Sequence, residues 1–197
     1  MARYNSKSWR AYKLGDSKVV SVAASPPLAL SPNCRILGID PGSRLTGFGI
    51  VDVRGVEAYC VVQGRIDVTG LSVVKRMAGI YQGIQSLIAT HAPSEVAIER
   101  VFVNKNIDSA LKLGQARGAA LAALGSALEV SEYAPRAVKL ATVGFGGADK
   151  TQVIHMMRQM LAIEESLTSD AADALAVALC HAQHRRMAYL LATRSDG

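Results

Sequence analysis

The stretch RILGIDPGSRLTGFGIVDV, residues 35–53, contains the pattern that decides the fold. An apolar run from Ile36 to Ile39 stops abruptly at Asp40, and Pro41-Gly42-Ser43 then turns the chain. This pattern predicts a buried strand, a tight turn and a second strand. In open α/β sheets, ligands bind outside the carboxyl ends of the strands. A carboxylate at the last position of a buried strand is therefore a candidate functional group.

The periodicity of the rest of the chain predicts an α/β domain. Strands are expected at 35–40, 46–53, 56–66, 94–99 and 130–134. Helices are expected at 71–91, 107–128, 150–162 and 169–186. Three strands in hairpin order, followed by alternating helices and strands, predict a five-stranded mixed β-sheet flanked by α-helices.

Composition places the chain among globular proteins and leaves its partner open. Half of the 197 residues are apolar, which excludes a disordered or fibrous chain. The sequence contains no apolar run that approaches the roughly 20 residues of a membrane-spanning helix. Cys34, Cys60 and Cys180 lack the spacing of a metal site and favour a reducing compartment. We therefore expect a cytoplasmic protein.

The positive charge is concentrated at the amino terminus. Residues 1–34 carry five basic and one acidic side chains, a net +4, whereas the remaining 163 residues carry 17 basic and 15 acidic groups, a net +2. We expect a flexible basic leader at 1–34, a folded domain at 35–186 and a short C-terminal tail at 187–197. An organellar transit peptide and a phosphate-binding arm are alternatives for the leader.

Glu99 resembles Asp40 in its placement, and two further acids lie on a predicted helix. Glu99 ends the short apolar strand VAIE, as Asp40 ends its own. Asp170 and Asp173 are three residues apart, so they project from one face of a helix that is otherwise strongly apolar. A solvated strand end explains one such acid, and helix capping explains Asp170, but neither explains all of them. If the strands that end in Asp40 and Glu99 are parallel neighbours, their carboxylates meet at one edge of the sheet.

Four carboxylates at one place require a counter-charge. They would repel one another, and some would take up protons, unless cations neutralised them. Oxygen ligands without Cys or clustered His favour Mg²⁺ or Mn²⁺ over zinc. Two such ions about 4 Å apart stabilise the attacking and leaving oxygens of a phosphodiester. The residues thus predict phosphoryl transfer to water without a covalent enzyme intermediate.

Four long segments give the chain a specific resemblance to one family. ILGIDPGSRLTGFGIVD, AIERVFVNKNIDSALKLGQARGAAL, EYAPRAVKLATVGFGGADKTQV and SDAADALAVA together resemble the RuvC Holliday junction resolvases over about residues 35–184. The resemblance implies a ribonuclease H-like fold and a homodimer that cuts four-way DNA junctions with Mg²⁺. It also implies symmetric nicks in two strands of like polarity, during homologous recombination and DNA repair, beside a branch-migration motor.

The resemblance further implies roles for individual residues. The catalytic, metal-binding set corresponds to Asp40, Glu99, Asp170 and Asp173. Phe102 matches an aromatic residue that stacks on a base of the opened junction, and core packing is its alternative role. The lysines that match basic positions near the DNA are Lys105, Lys139 and Lys150.

The predicted helix 107–128 carries a stripe of small residues. Ala110, Gly114 and Gly118 recur every four residues, which lets the sheet or a second subunit approach closely. The resemblance implies that this region forms the dimer interface. A two-fold dimer would present two active sites to a two-fold junction.

Other functions stay open from the residues alone. GFGGADKT, residues 144–151, follows a helix and nearly matches a phosphate loop, but Asp149 replaces its second glycine. GIDPGSRLTGFGI is similar to the first phosphate motif of actin-like sugar kinases, which need two large lobes that 197 residues cannot supply. Cys180, His181 and His184 lack a fourth zinc ligand and are expected on a helix surface. A module that binds junctions without cutting them would not need all four acids.

Overall fold

The computed structural model describes residues 31–100, 107–126 and 128–195. The strands in these ranges are β1 (Asn33–Asp40), β2 (Leu45–Arg54), β3 (Glu57–Asp67), β4 (Glu95–Glu99) and β5 (Val130–Tyr133). The helices are α1 (Val73–His91), α2 (Ile107–Leu124), α3 (Pro135–Val143), α4 (Lys150–Met160) and α5 (Ser169–Ser195). All the predicted strands and helices are present within a few residues of their expected bounds, except that α5 is longer.

The strands form one five-stranded sheet in the order β3-β2-β1-β4-β5. β2 pairs in antiparallel orientation with both β1 and β3, whereas β1 with β4 and β4 with β5 are parallel pairs. Gly55, with a φ of +62°, allows the tight turn between β2 and β3. The predicted mixed sheet is therefore confirmed, with β2 running against the other strands.

Helices cover both faces of the sheet, because successive residues of a strand point to opposite faces. Ile36 in β1 belongs to a core formed with α3, α4 and α5, whereas the next residue, Leu37, belongs to a core formed with α1 and α2. Both side chains are fully buried. The continuous apolar run of β1 is thus explained by burial on two sides.

Glycines in β1 and β2 let α5 lie very close to the sheet. A Cβ atom on Gly47 would lie 2.0 Å from the carbonyl oxygen of Asp170, and one on Gly38 would lie 2.1 Å from that of Ala174. Both distances are far below van der Waals contact, so any larger residue would displace the helix. The start of α5 is therefore held directly over β1 and β2.

The lengths of two helices differ from the sequence-based expectation. α5 was expected to end at about residue 186, before a short tail at 187–197, but it continues to Ser195. The tail sequence up to Ser195 contains neither glycine nor proline, the residues that commonly end helices. α2 ends at Leu124, earlier than predicted, because Gly125 adopts a left-handed φ of +66°. None of the helices in the described ranges is long and apolar enough to cross a membrane.

The contact between β2 and α5 can be tested with Gly47→Ala. The added methyl group would meet the carbonyl oxygen of Asp170 at 2.0 Å, so the helix must shift. We expect the free energy of unfolding to fall by about 1–3 kcal/mol, the usual effect of overpacking. The measurement is chemical denaturation followed by circular dichroism.

Gly147→Ala is the matched control for this experiment. A Cβ atom there would lie at an ordinary 3.7 Å from the ring of Phe145. We expect its free energy of unfolding to change by no more than about 0.5 kcal/mol. Equal stability of the two variants would contradict a tight contact between helix and sheet.

Candidate active site

Asp40 and Glu99 lie side by side at the ends of two neighbouring strands. In the parallel pairing of β1 with β4, Ile39 is opposite Ile98, and the next residue of each strand is one of the two acids. Parallel strands end at the same edge of a sheet, so both carboxylates lie at that edge. The placement expected from the sequence is therefore observed.

The first turns of α5 bring two more carboxylates to the same place. Asp170 and Asp173 are three residues apart on α5, and the backbone of Asp170 lies against Gly47 in β2. Gly47 is paired with Asp40 in the register of β1 and β2. The negative charges of Glu99, Asp173 and Asp170 all act on the carboxyl group of Asp40. The structure thus brings the four predicted acids together.

Burial and crowding favour protons on these acids. Loss of hydration and, after it, the negative charges of the acidic neighbours raise the pKa of Asp40 to about 8. Burial, followed by the charge of Asp173, raises the pKa of Glu99 to about 7. Burial also raises the pKa of Asp173. A divalent cation that bound here would displace protons from the cluster.

One predicted DNA-binding lysine pairs with an acid of the cluster, and a second acts on the cluster through its charge. Lys150 Nζ is 3.6 Å from a carboxylate oxygen of Asp173. The charges of Lys139 and Lys150 partly offset the effect of burial on the pKa of Glu99. Asp149 caps α4 by accepting a backbone hydrogen bond of 2.9 Å, which places Lys150 in the first turn of that helix. Asp149 therefore serves as a helix cap, which explains why the phosphate-loop pattern is broken there.

The structure adds a cation that the sequence analysis did not identify. Arg65 in β3 is opposite Gly47, and its Nη1 is 3.8 Å from a carboxylate oxygen of Asp170. Sequence reasoning could have found it only from the register of the hairpin. An irregularity at Ile50/Val51 shifts that register by one residue, and such a shift moves a side chain to the other face of the sheet.

The donor set suits a hard divalent cation in its chemistry. All four acids offer oxygen donors, and three of them have raised pKa values, first because they are buried and then because negative charges lie nearby. Within the described part of the chain, however, no three His, Cys, Asp or Glu side chains converge closely enough to hold one ion. Lys150 and Arg65 partly neutralise the acids instead. The role of the four acids as metal ligands therefore stays a prediction.

The middle of α5 is fixed by a buried polar network. His181 Nε2 lies 2.9 Å from a carboxylate oxygen of Glu95, and Arg185 Nε donates to the same carboxylate at 2.7 Å. The other ring nitrogen of His181 is 2.8 Å from the hydroxyl group of Tyr133. The expectation that Cys180 and His181 lie on a helix surface was wrong, because α5 packs on the sheet at this point and buries both.

The predicted dimer stripe on α2 faces away from the sheet. The buried residues of α2 are others, namely Ala116, Ala120, Ala123 and Leu124. Apart from the chain neighbours and the nearby backbone of α2 itself, no residue that the structure describes comes within 4 Å of a Cβ atom built on Gly114 or Gly118. The sequence analysis offered the sheet or a second subunit as the neighbour of this stripe. The sheet does not contact Gly114 or Gly118 and is therefore excluded for both glycines.

Two predicted DNA contacts, Phe102 and Lys105, lie outside the described residues. Their roles stay predictions.

The order of the strands and the position of the acids define the class of protein. A β3-β2-β1-β4-β5 sheet, with carboxylates gathered at the ends of β1 and β4 and at the start of α5, is the ribonuclease H-like fold of nucleases. The predicted fold class is therefore confirmed.

Comparisons with known proteins identify the family within this class. A family model described as crossover junction endodeoxyribonuclease RuvC matches residues 36–181, and on this evidence the chain belongs to the RuvC family. RuvC of Dichelobacter nodosus (strain VCS1703A) is 53% identical over 152 residues, which cover 77% of this chain and 86% of that protein. RuvC of Halorhodospira halophila (strain DSM 244 / SL1) is 53% identical over 163 residues, covering 81% and 96%. The structure of T. thermophilus RuvC in complex with Holliday junction substrate matches with a TM-score of 0.73 and 34% identity, covering 79% of this chain and 97% of that one.

The raised pKa values predict that the metal-free protein loses stability as the pH rises. The carboxyl groups of Asp40 and Glu99 have pKa values of about 8 and about 7 in the folded protein, against ordinary values of 3.8 and 4.5. The folded state therefore binds more protons than the unfolded state between these limits, and stability falls as the pH rises from about 4 to about 8. The measurement is the melting temperature in EDTA over this range.

Asp40→Asn removes the most perturbed of these carboxyl groups. At a pH of about 8 we expect this variant to melt above the parent protein, and its melting temperature should depend less on pH. Mg²⁺ should raise the melting temperature of the parent more than that of the variant. A parent protein that becomes more stable between pH values of about 6 and 8 would contradict the perturbed acids.

Proposed function

We propose that the chain is a structure-specific endonuclease that resolves four-way (Holliday) DNA junctions by paired, symmetric hydrolysis of phosphodiester bonds, during homologous recombination and DNA repair. The observation that carries this proposal is the cluster of four carboxylates at the edge of the sheet. Further support comes from T. thermophilus RuvC, which shares the fold and has been solved with a Holliday junction substrate.

Nucleases of this family depend on a metal, and Mg²⁺ is the proposed cofactor, with two ions in each active site and Mn²⁺ as a substitute. The residues that would hold them are Asp40, Glu99, Asp170 and Asp173. Bound ions of this kind lower the pKa of water and neutralise charge on the attacking and leaving oxygens. The chain itself contributes rigidity, because each acid lies at the end of a strand or in the first turns of a packed helix.

The cations beside the acids suit a phosphate substrate. Lys150 is exposed and Lys139 is half-buried, and both act electrostatically on Glu99. When divalent ions neutralise the acids, these lysines are free to bind phosphate oxygens and position the DNA backbone. Phe102 and Lys105, which follow Glu99 in the sequence, are proposed to contact an unpaired base and the backbone, respectively.

A homodimer is the proposed assembly, and α2 is the proposed interface. Ile107 and Leu111 are 73% and 63% exposed, and they share a helical face with Gly114 and Gly118. An exposed apolar stripe with small residues at its centre is typical of a helix that packs against another helix. A two-fold axis beside this stripe, with Ala110 at its margin, would pair two active sites.

The remaining proposals concern partner and location. A branch-migration motor is the proposed partner at the junction, and the cytoplasm is the proposed location. Organellar targeting by residues 1–34 is the alternative. These proposals rest on the family resemblance and on the composition of the chain.

The proposed reaction predicts the behaviour of Asp40→Asn on a labelled four-way junction. This substitution removes a proposed metal ligand but no DNA-binding cation, so we expect cleavage to fall at least about 100-fold while junction binding is retained. The measurement is product formation on denaturing gels with and without Mg²⁺. Glu164→Gln, which removes an exposed acid outside the cluster, is the control and should cut normally. Normal cutting by Asp40→Asn would exclude the proposed catalytic set.

The proposed interface predicts that Gly118→Glu separates the dimer. The structure leaves room for the new side chain, so the fold should persist while the buried charge opposes association. We expect a monomer in sedimentation experiments at concentrations where the parent is a dimer. Gln82→Glu on the exposed side of α1 adds the same charge and should leave the dimer intact. A monomeric parent, or a dimeric Gly118→Glu variant, would refute the α2 interface.

A further inference from the structure

Arg65 lies in a row of residues that crosses three strands and ends at the acid cluster. It is opposite Gly47 in β2, and Gly47 is opposite Asp40 in β1. Directly opposed residues of neighbouring strands point to the same face of a sheet. The row therefore places a cation two strands away from Asp40, with no side chain between them.

The absence of a side chain at Gly47 gives Arg65 access to the acids. The backbone of Asp170 occupies the space over Gly47, where a Cβ atom would lie 2.0 Å from the Asp170 carbonyl oxygen. Arg65 Nη1 reaches to 3.8 Å from a carboxylate oxygen of the same residue. Lys139 and Lys150, by contrast, come from α3 and α4. Arg65 thus flanks the cluster from β3, separately from both lysines.

The contacts of Arg65 are not those of a structural arginine. Arg35 shows the structural kind, because it donates to the two oxygens of Asp52 at 2.6 and 2.9 Å and to the carbonyl oxygen of His91 at 2.8 Å. Between Arg65 and the other residues that the structure describes, no hydrogen bond of the guanidinium is found, and its side chain is 45% exposed. A pair as long and as exposed as that with Asp170 contributes little to stability.

We propose that Arg65 binds a backbone phosphate of the junction DNA on the β3 side of the acid cluster, an inference that rests on the proposed nuclease function. A guanidinium group recognises phosphate through two parallel N–H···O bonds. When a divalent cation neutralises Asp170, the attraction between that carboxylate and Arg65 weakens, and a DNA phosphate becomes the stronger partner. The DNA strand at the site is then held by cations on two sides.

The test measures binding of the full chain to a fluorescent four-way junction by anisotropy. The Asp40→Asn background in Mg²⁺ keeps the junction uncut. Affinity over a series of salt concentrations gives a slope of log K against log salt of about −0.9 for each phosphate contact. We expect Arg65→Gln to weaken binding several-fold and to reduce the magnitude of this slope by about 1 for each Arg65 on the junction. Arg65→Lys should keep most of the slope, because it keeps the charge, and should lose part of the affinity.

Arg54→Gln is the matched control, because it removes the same charge from the neighbouring strand. Arg54 forms a similar ion pair, 3.9 Å from Asp52, but lies seven residues from Gly47 along β2, about 23 Å at 3.3 Å per residue. For Arg54→Gln, the slope of log K against log salt should equal that of the Asp40→Asn background protein. Equal slopes for Arg65→Gln and Arg54→Gln would overturn the proposal. Loss of cutting by Arg65→Gln alone, at unchanged junction affinity, would overturn it too.

Cutting by the unsubstituted chain separates this inference from the proposed function. If that chain cuts the junction in Mg²⁺ and the slopes of the two glutamine variants agree, only the Arg65 contact is wrong. If it does not cut but Arg65→Gln reduces the slope, the nuclease proposal fails and the phosphate contact stands. If it does not bind the junction, both fail.

Discussion

The close approach of α5 to the sheet is the constraint on which the site depends. Aspartate side chains are short, so Asp170 and Asp173 reach the ends of the strands only because the helix backbone lies almost on them. Gly38 and Gly47 make this possible, since a single methyl group at either position would collide with a carbonyl oxygen of the helix. The strands have no side chains to pack at these two glycines. In return, the two carboxylates of α5 are held close to the ends of the strands.

Bringing four acids together in a partly buried place opposes folding while it creates a function. The pKa values of Asp40 and Glu99 are raised to about 8 and about 7, chiefly because burial disfavours the charged carboxylates. Nearby cations offset part of the unfavourable burial and repulsion of these carboxylates, with Lys150 beside Asp173 and Arg65 beside Asp170. The same arrangement that destabilises the acids would favour divalent ions and a phosphate group, so the instability and the proposed activity have one physical origin.

The packing of α5 has a second anchor, which a reading of the sequence placed wrongly. His181 was expected on a helix surface, because Cys180, His181 and His184 lack the fourth ligand of a zinc site. In the structure it is buried and connects Glu95 at the start of β4 with Tyr133 at the end of β5. Arg185 adds a second charge-assisted bond to Glu95. Pairing between residues so distant in sequence has no local pattern, and only the packed sheet and helix show it.

The sequence by itself determined the order of the strands and of the helices other than α3, and it identified the four candidate acids. Asp40 and Glu99 could be predicted because an apolar run that ends in a carboxylate is a local signal, and the acids of α5 because their spacing places them on one helical face. The tertiary structure alone decided which cations meet these acids. Arg65 joins the site because an irregularity in the β2–β3 hairpin shifts the register by one residue, and because Gly47, which has no side chain, lets Asp170 lie within reach of Arg65. A register shift of one residue reverses the face to which every following side chain points, so no local pattern in the sequence reveals it.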